Sequence, residues 1–118
     1  MDRVTTVTER SATAASGSAA KILAFGGDIS SASKDTVFNA YRRLDGAAKV
    51  LLDFTGVDYV NSSGIAIIIQ VLLEAAKTGK QSIGIFGLSP HFQKVFTMVG
   101  INKYAALHKD EASALAVA

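Results

Sequence analysis

The 118-residue chain contains no cysteine, which excludes disulfide frameworks, thiol nucleophiles and thiolate metal sites together. No apolar run approaches the roughly 18 residues of a membrane-spanning helix; charges and glycines break the apolar residues into short blocks. The first residues include Asp2, Arg3 and Glu9 and no long apolar stretch, which is not the pattern of a secretory signal. The expected location is therefore the cytoplasm, with no membrane insertion. A large excess of one charge is missing as well. Twelve basic and ten acidic side chains leave a net charge of +2, and the one adjacent Lys/Arg pair is Arg42-Arg43. A nucleic-acid binder needs a concentrated basic stripe, so no nucleic-acid partner is expected.

What remains is a chain that is 49% hydrophobic and long enough to bury a core, most simply as one domain over residues 1–118. Residues 3 to 9 alternate and are rich in β-branched types, which predicts a first strand. The small residues of segment 11–20 carry no amphipathic stripe and read as a flexible loop. Lys21 to Phe25 is a second strand, closed by Gly26-Gly27. Ser and Asp residues between Asp28 and Ser33 offer helix caps. The helix that follows extends to about Leu44, with Val37, Phe38, Tyr41 and Leu44 on one face and Asp45-Gly46 as its stop. In the strand Lys49 to Phe54, Val50, Leu51 and Leu52 are apolar at successive positions, as expected where both faces of a sheet are covered.

A helix then runs from about Ser63 to Lys77 with Gly79 as its stop, and Gln81 to Phe86 is a fourth strand. Ser89-Pro90 marks another helix start; Phe92, Val95, Phe96 and Val99 line its inner face and Gly100 ends it. Tyr104 to His108 predicts a short last strand, and Asp110 caps a terminal helix. The order β-β-α-β-α-β-α-β-α predicts an α/β fold with a mixed β-sheet and helices.

The segment from Asp53 to Ile65 concentrates the chemistry. A buried strand ends at an acidic residue, a short link follows, and Asn61-Ser62-Ser63-Gly64 opens an apolar helix. Backbone N–H groups at a helix N-terminus lack intrahelical partners and the helix dipole adds partial positive charge, so a phosphate is welcome there. Asn61 or Ser62 is the expected cap. Gly64 removes a side chain, so that a partner's backbone could come close. On a helical wheel Ile65, Ile68, Ile69, Leu72, Ala75 and Ala76 form the expected core face. Ser63, Gln70, Glu74 and Lys77 fall opposite, together with Ile67 and Val71. These two apolar residues are expected to be partly exposed and to dock a partner beside Ser63; a neighbouring helix covering them is the other arrangement the pattern allows.

This order of elements resembles the STAS family, the anti-sigma factor antagonists and their relatives, in which an apolar strand, Asp, a polar link, an aromatic residue and Asp-Ser-Ser-Gly-Leu follow one another. The likeness covers about residues 21–118 and includes Gly27-Asp-Ile and the stretch from Gly100 to Tyr104. The resemblance implies a STAS-type fold and a regulatory protein, not an enzyme. Its partners would be an anti-sigma factor with serine kinase activity and a PP2C-type phosphatase. It implies phosphorylation of one of the two serines, Ser63 or, as second choice, Ser62. With Ile67 and Val71 from the helical wheel, the expected partner-binding surface is Asn61, Ser62, Ser63, Gly64, Ile67, Val71 and Asp28. Asn61 stands where many phosphorylated members have aspartate, and some STAS proteins dock without modification as subunits of transport or signalling complexes.

Asp28, Asp53 and Asp58 lie at strand or loop ends, where turn formation and capping account for them better than metal or acid/base chemistry. Asp53 is expected to hold the strand-to-helix link. His91 and His108 lack a metal-ligand spacing. There is no Gly-x-Ser-x-Gly elbow and no Walker or dinucleotide fingerprint. No catalytic residue, cofactor or metal is expected.

Overall fold

The computed structural model describes residues 4–44, 47–79 and 81–117. The expected helix stop at Asp45-Gly46 and the Arg3 start of the first strand lie outside the described residues. Among the described residues, strands β1 (Thr6–Thr13), β2 (Ala19–Ile29), β3 (Lys49–Val60), β4 (Ser82–Phe86) and β5 (Ala106–His108) alternate with helices α1 (Lys34–Arg42), α2 (Ser62–Thr78), α3 (Pro90–Met98) and α4 (Glu111–Val117). The strands lie in one sheet in chain order. β1 is antiparallel to β2, and each later neighbour is parallel. The predicted fold class and element order are those observed.

Sequential parallel strands joined by right-handed crossovers return every helix to the same face. α1, α2 and α3 accordingly share one core with the sheet, where Val37 and Phe38 of α1, Ile68 and Leu72 of α2 and Phe96 of α3 meet Leu23, Val50, Leu52 and Ile85. α4 covers the other face: its Ala114 and Leu115 pack on Ile22, Leu51 and Phe86. This explains the unbroken Val50-Leu51-Leu52 run, because Val50 and Leu52 enter the large core while Leu51 enters the small one. The Arg10 guanidinium reaches the Glu111 carboxylate on α4 with both terminal nitrogens and lies 3.6 Å from Asp53. That pair is exposed and screened, so α4 is held mainly by its apolar contacts. The Asp110 carboxylate caps α4 by accepting from the Ser113 N–H at 2.8 Å, a bond that holds its pKa below the ordinary carboxylate value.

Two expectations about connections are corrected. Segment 11–20 is not a flexible loop: Ser11–Thr13 and Ala19–Ala20 pair across the β1–β2 hairpin, leaving only 14–18 as the turn. Small side chains suit this site because α4 comes close, and the Ala15 N–H donates to the Leu115 carbonyl at 2.9 Å. The link after Phe54 is likewise strand. β3 parts from β4 after Asp53 but continues beside β2 to the pair Ile29–Val60, through two irregularities in register around Gly26, Gly27 and Asp28. The glycines expected to close β2 lie within it. Asp53 supports this continuation from the α4 side, accepting from the Thr55 N–H at 2.9 Å.

Candidate functional site

The continued pairing of β2 and β3 determines where α2 begins. After Val60, the Asn61 N–H donates to the Ile29 carbonyl at 3.1 Å. Asn61 is then the helix cap, with extended backbone (φ −86°, ψ 178°) and a side-chain oxygen that accepts from the Gly64 N–H at 2.8 Å. Ser62 and Ser63 occupy the first two helical positions and both are exposed. The other end closes at Gly79, whose φ of 64° is the left-handed conformation that suits a helix stop. Replacing Asn61 by alanine should cost about 1 kcal/mol of unfolding free energy, measured by urea denaturation. Asn61→Asp should retain the cap and raise stability by a few tenths of a kcal/mol through the helix dipole.

Gly64 does not open the site to a partner. It is buried, and a Cβ placed there would lie 2.2 Å from the Ile29 carbonyl oxygen and 3.0 Å from a Val60 methyl carbon. The glycine exists so that α2 can start against the end of β2. The expectation that Ile67 and Val71 are partly exposed is also overturned, since they are only 4% and 2% accessible. α1 packs beside α2, the Arg42–Glu74 pair linking their outer edges at 3.3 Å, and turns that side of α2 into the large core. The buried stripe runs through Gly64, Ile67, Ile68, Val71, Leu72 and Ala75, while Ala76 is exposed and Ile65 and Ile69 are half-buried. The stripe is rotated by roughly 70° from the expected one. The solvent face that continues from the serines consists of Ala66, Gln70, Leu73 and Lys77.

One aromatic feature near the serines lies outside the expected surface. Tyr59, three residues before Ser62, is 55% exposed and sets its ring edge-to-face against Phe92 of α3, with centroids 5.9 Å apart. His91 packs on the same Phe92 ring at 5.0 Å. The β-branched and aromatic residues Thr55, Val57, Tyr59 and Val60 are the signal that would have placed Tyr59 on a strand. Asp28 sits opposite Tyr59 in the β2–β3 pairing and is half-buried, and its backbone carbonyl accepts from the Thr5 and Ser33 hydroxyls. Asp58 is exposed near the α2 start, whereas Asp53 belongs to the α4 side of the sheet, so the three aspartates do not form one cluster. Among the described residues, no three His, Asp or Glu side chains are grouped so as to hold a metal ion. No helix among them is long and apolar enough to cross a membrane.

A family model described as Mlab, STAS domain, matches residues 12–109. The chain belongs to the STAS domain family. No curated protein matches it. Among solved structures, this STAS domain is similar to an anti-sigma factor antagonist from Mycobacterium paratuberculosis, with a TM-score of 0.73 and 16% identity over 93% of this chain and 92% of that one. It is similar to the Bacillus cell fate determinant SpoIIAA in its phosphorylated form, with a TM-score of 0.63 and 15% identity over 90% and 94% of the two chains. The murine anion transporter Slc26a9 also contains a similar domain, at a TM-score of 0.66 and 18% identity over 80% of this chain and 17% of the transporter. At these identities the structural likeness concerns the fold, and the STAS domain's own serine turn carries the functional argument.

Proposed function

We propose that this STAS domain is an anti-sigma factor antagonist-like regulator, a cytoplasmic docking protein switched by phosphorylation at the start of α2. The observation that carries the reading is the pair of exposed serines, Ser62 and Ser63, at the first two positions of a 17-residue helix whose cap is already made by Asn61. Their hydroxyls are not needed as caps, so they are available to a kinase. Phosphate on Ser63, the preferred acceptor, adds about −1.5 to −2 charges where the first-turn N–H groups and the helix dipole accommodate negative charge. The fold survives, while a partner seated on Ser62, Ser63 and Ala66 meets a new anion. In this reading the unmodified form binds an anti-sigma factor with serine kinase activity, and a PP2C-type phosphatase restores it. Asn61, Ser62 and Ser63 belong to the docking surface, with Asp28 near its edge; Gly64 shapes it from beneath.

The test is intact-mass and fragment mass spectrometry after incubation with an anti-sigma factor kinase and magnesium ATP. One phosphate on Ser63, lost in Ser63→Ala, is expected. Ser63→Asp should weaken anti-sigma factor binding about tenfold or more, with the melting temperature unchanged or slightly raised because acidic groups are favoured in a first helical turn. Absence of phosphate from both serines would sink the switch.

A second reading has its own support. The matching family model bears the description Mlab, and a transporter carries the same fold. In this second reading the serine turn of the present chain docks unmodified as part of a transport complex. Purification with transporter subunits, undiminished by treatment with phosphatase or by Ser63→Ala, favours that reading.

A further inference from the structure

The charge of the chain is divided unevenly along its length. From Ala75 to Lys109 there are five lysines and no aspartate or glutamate, whereas the rest carries seven basic against ten acidic side chains. α3 and β5 fall within this acid-free stretch. Along the outer side of α3, reaching to Lys109 just past β5, runs an open groove of about 560 Å³. Its apolar wall is made by Leu88, Pro90 and Met98, and its charged side chains are Lys94 and Lys109.

Three properties describe what fits. First, Met98 is 76% exposed, a flexible thioether that adapts to an apolar side chain laid against it. Second, Lys94 and Lys109 are exposed, and neither makes an ion pair among the described residues. Asp110, next to Lys109, caps α4 and its carboxylate also interacts with the Lys109 charge, so Lys94 is the stronger of the two contacts offered to an incoming anion. Third, the groove follows the nine residues of α3, about 13 Å, and is open along its course. Sites for small molecules enclose most of their ligand; an open trough with a soft apolar wall and two lysines suits a stretch of polypeptide. None of its lining residues belongs to α2 or to the serine turn.

We infer that the α3 groove is a second docking site, for an acidic segment of a partner protein that carries an apolar anchor. The anchor packs against Met98 and Leu88, and its carboxylates face Lys94 and Lys109. Charge complementarity of this kind contributes to specificity and association rate, and it weakens as salt rises.

Nuclear magnetic resonance on the ¹⁵N-labelled full chain tests the inference. The probe is a synthetic peptide alternating glutamate with leucine, compared with its counterpart in which lysine replaces each glutamate. The acidic peptide should move the resonances of Lys94, Thr97, Met98 and Lys109, and the basic one should not. The double variant Lys94→Glu, Lys109→Glu should bind the acidic peptide about tenfold more weakly while melting as the parent does, since both positions are exposed. Ser62→Ala and Ser63→Ala should leave this binding intact, so failure here is separable from failure of the phosphorylation switch. The inference is overturned if millimolar acidic peptide moves nothing in the groove, if the basic peptide binds equally, or if the charge reversals have no effect. Vesicles of phosphatidylglycerol that perturb the groove residues where the peptide does not would overturn it in favour of an anionic membrane surface.

Discussion

A Gly64→Ala variant is expected to lose a large part of its folding stability, although the change adds one methyl group to a helix. Alanine is the better helix former by about 1 kcal/mol, so a count of propensities alone gives the opposite sign. The geometry decides. The new carbon would lie 2.2 Å from the Ile29 carbonyl oxygen and 2.7 Å from its carbonyl carbon. Those atoms are backbone, fixed by the last pairing of β2 with β3 and by the bond from the Asn61 N–H, and no rotamer change relieves the clash. Either α2 moves away from β2 and loosens Ile67, Ile68 and Val71 in the core, or the end of the sheet opens. A loss of about 3 kcal/mol or more follows, a large part of the roughly 5–15 kcal/mol available to a domain. Denaturant titration by circular dichroism gives the value. A variant within a few tenths of a kcal/mol of the parent would show that the β2–α2 contact is much looser than described.

Phe96→Ala should be comparably damaging for the opposite reason, a void instead of a clash. Phe96 is fully buried and, among the described residues, is the largest such side chain. Its ring meets Phe54 edge-on at 5.6 Å and Phe92 at 6.5 Å, while Phe54 meets Phe25 at 5.3 Å, so aromatic packing runs from α3 into β3 and β2. Truncating a buried phenylalanine costs about 3–5 kcal/mol, and here it also loosens Phe92, on which Tyr59 rests. The paired control is Val99→Ala: the sequence places Val99 on the inner face, but it caps the end of α3 and is 47% exposed, so a change within about 0.5 kcal/mol is expected. Equal melting of the two variants would refute the assignment of Phe96 to the core.

These two positions also show how far the sequence could be read. Phe96 stood out by its spacing with Phe92 and Val95, and the Ser89-Pro90 start was confirmed, the Ser89 hydroxyl accepting from the Phe92 N–H. Strong local signals of this type carried the element order, the sheet type and the position of Asn61, Ser62 and Ser63. Gly64 reads in the sequence as an opening for a partner, whereas what it avoids is Ile29, 35 residues earlier in the chain. Ile67 and Val71 were misplaced because α2 is apolar around much of its circumference, and only the position of α1 selects which side is covered. Segment 11–20 was misread because alanine and serine have weak preferences of their own; pairing with β2 and contact with α4 supply the order. The α3 groove had no local signature at all, since its walls come together only when α3 lies beside the end of β5.

The unequal division of the sheet's two faces has a consequence for how the molecule opens. α4 has seven residues, too few to persist as an isolated helix in water, and its cover over Ile22, Leu51 and Phe86 is thin compared with the core beneath α1, α2 and α3. Segments with few buried contacts exchange with solvent at energies well below global unfolding. The terminal helix is therefore where the native state breathes first, briefly uncovering a small oily patch beside the unpaired edge of β1. The aggregation hazard of this domain arises there, on the side of the sheet away from α1, α2 and α3, and the Arg10–Glu111 clasp stands at the place where that opening begins.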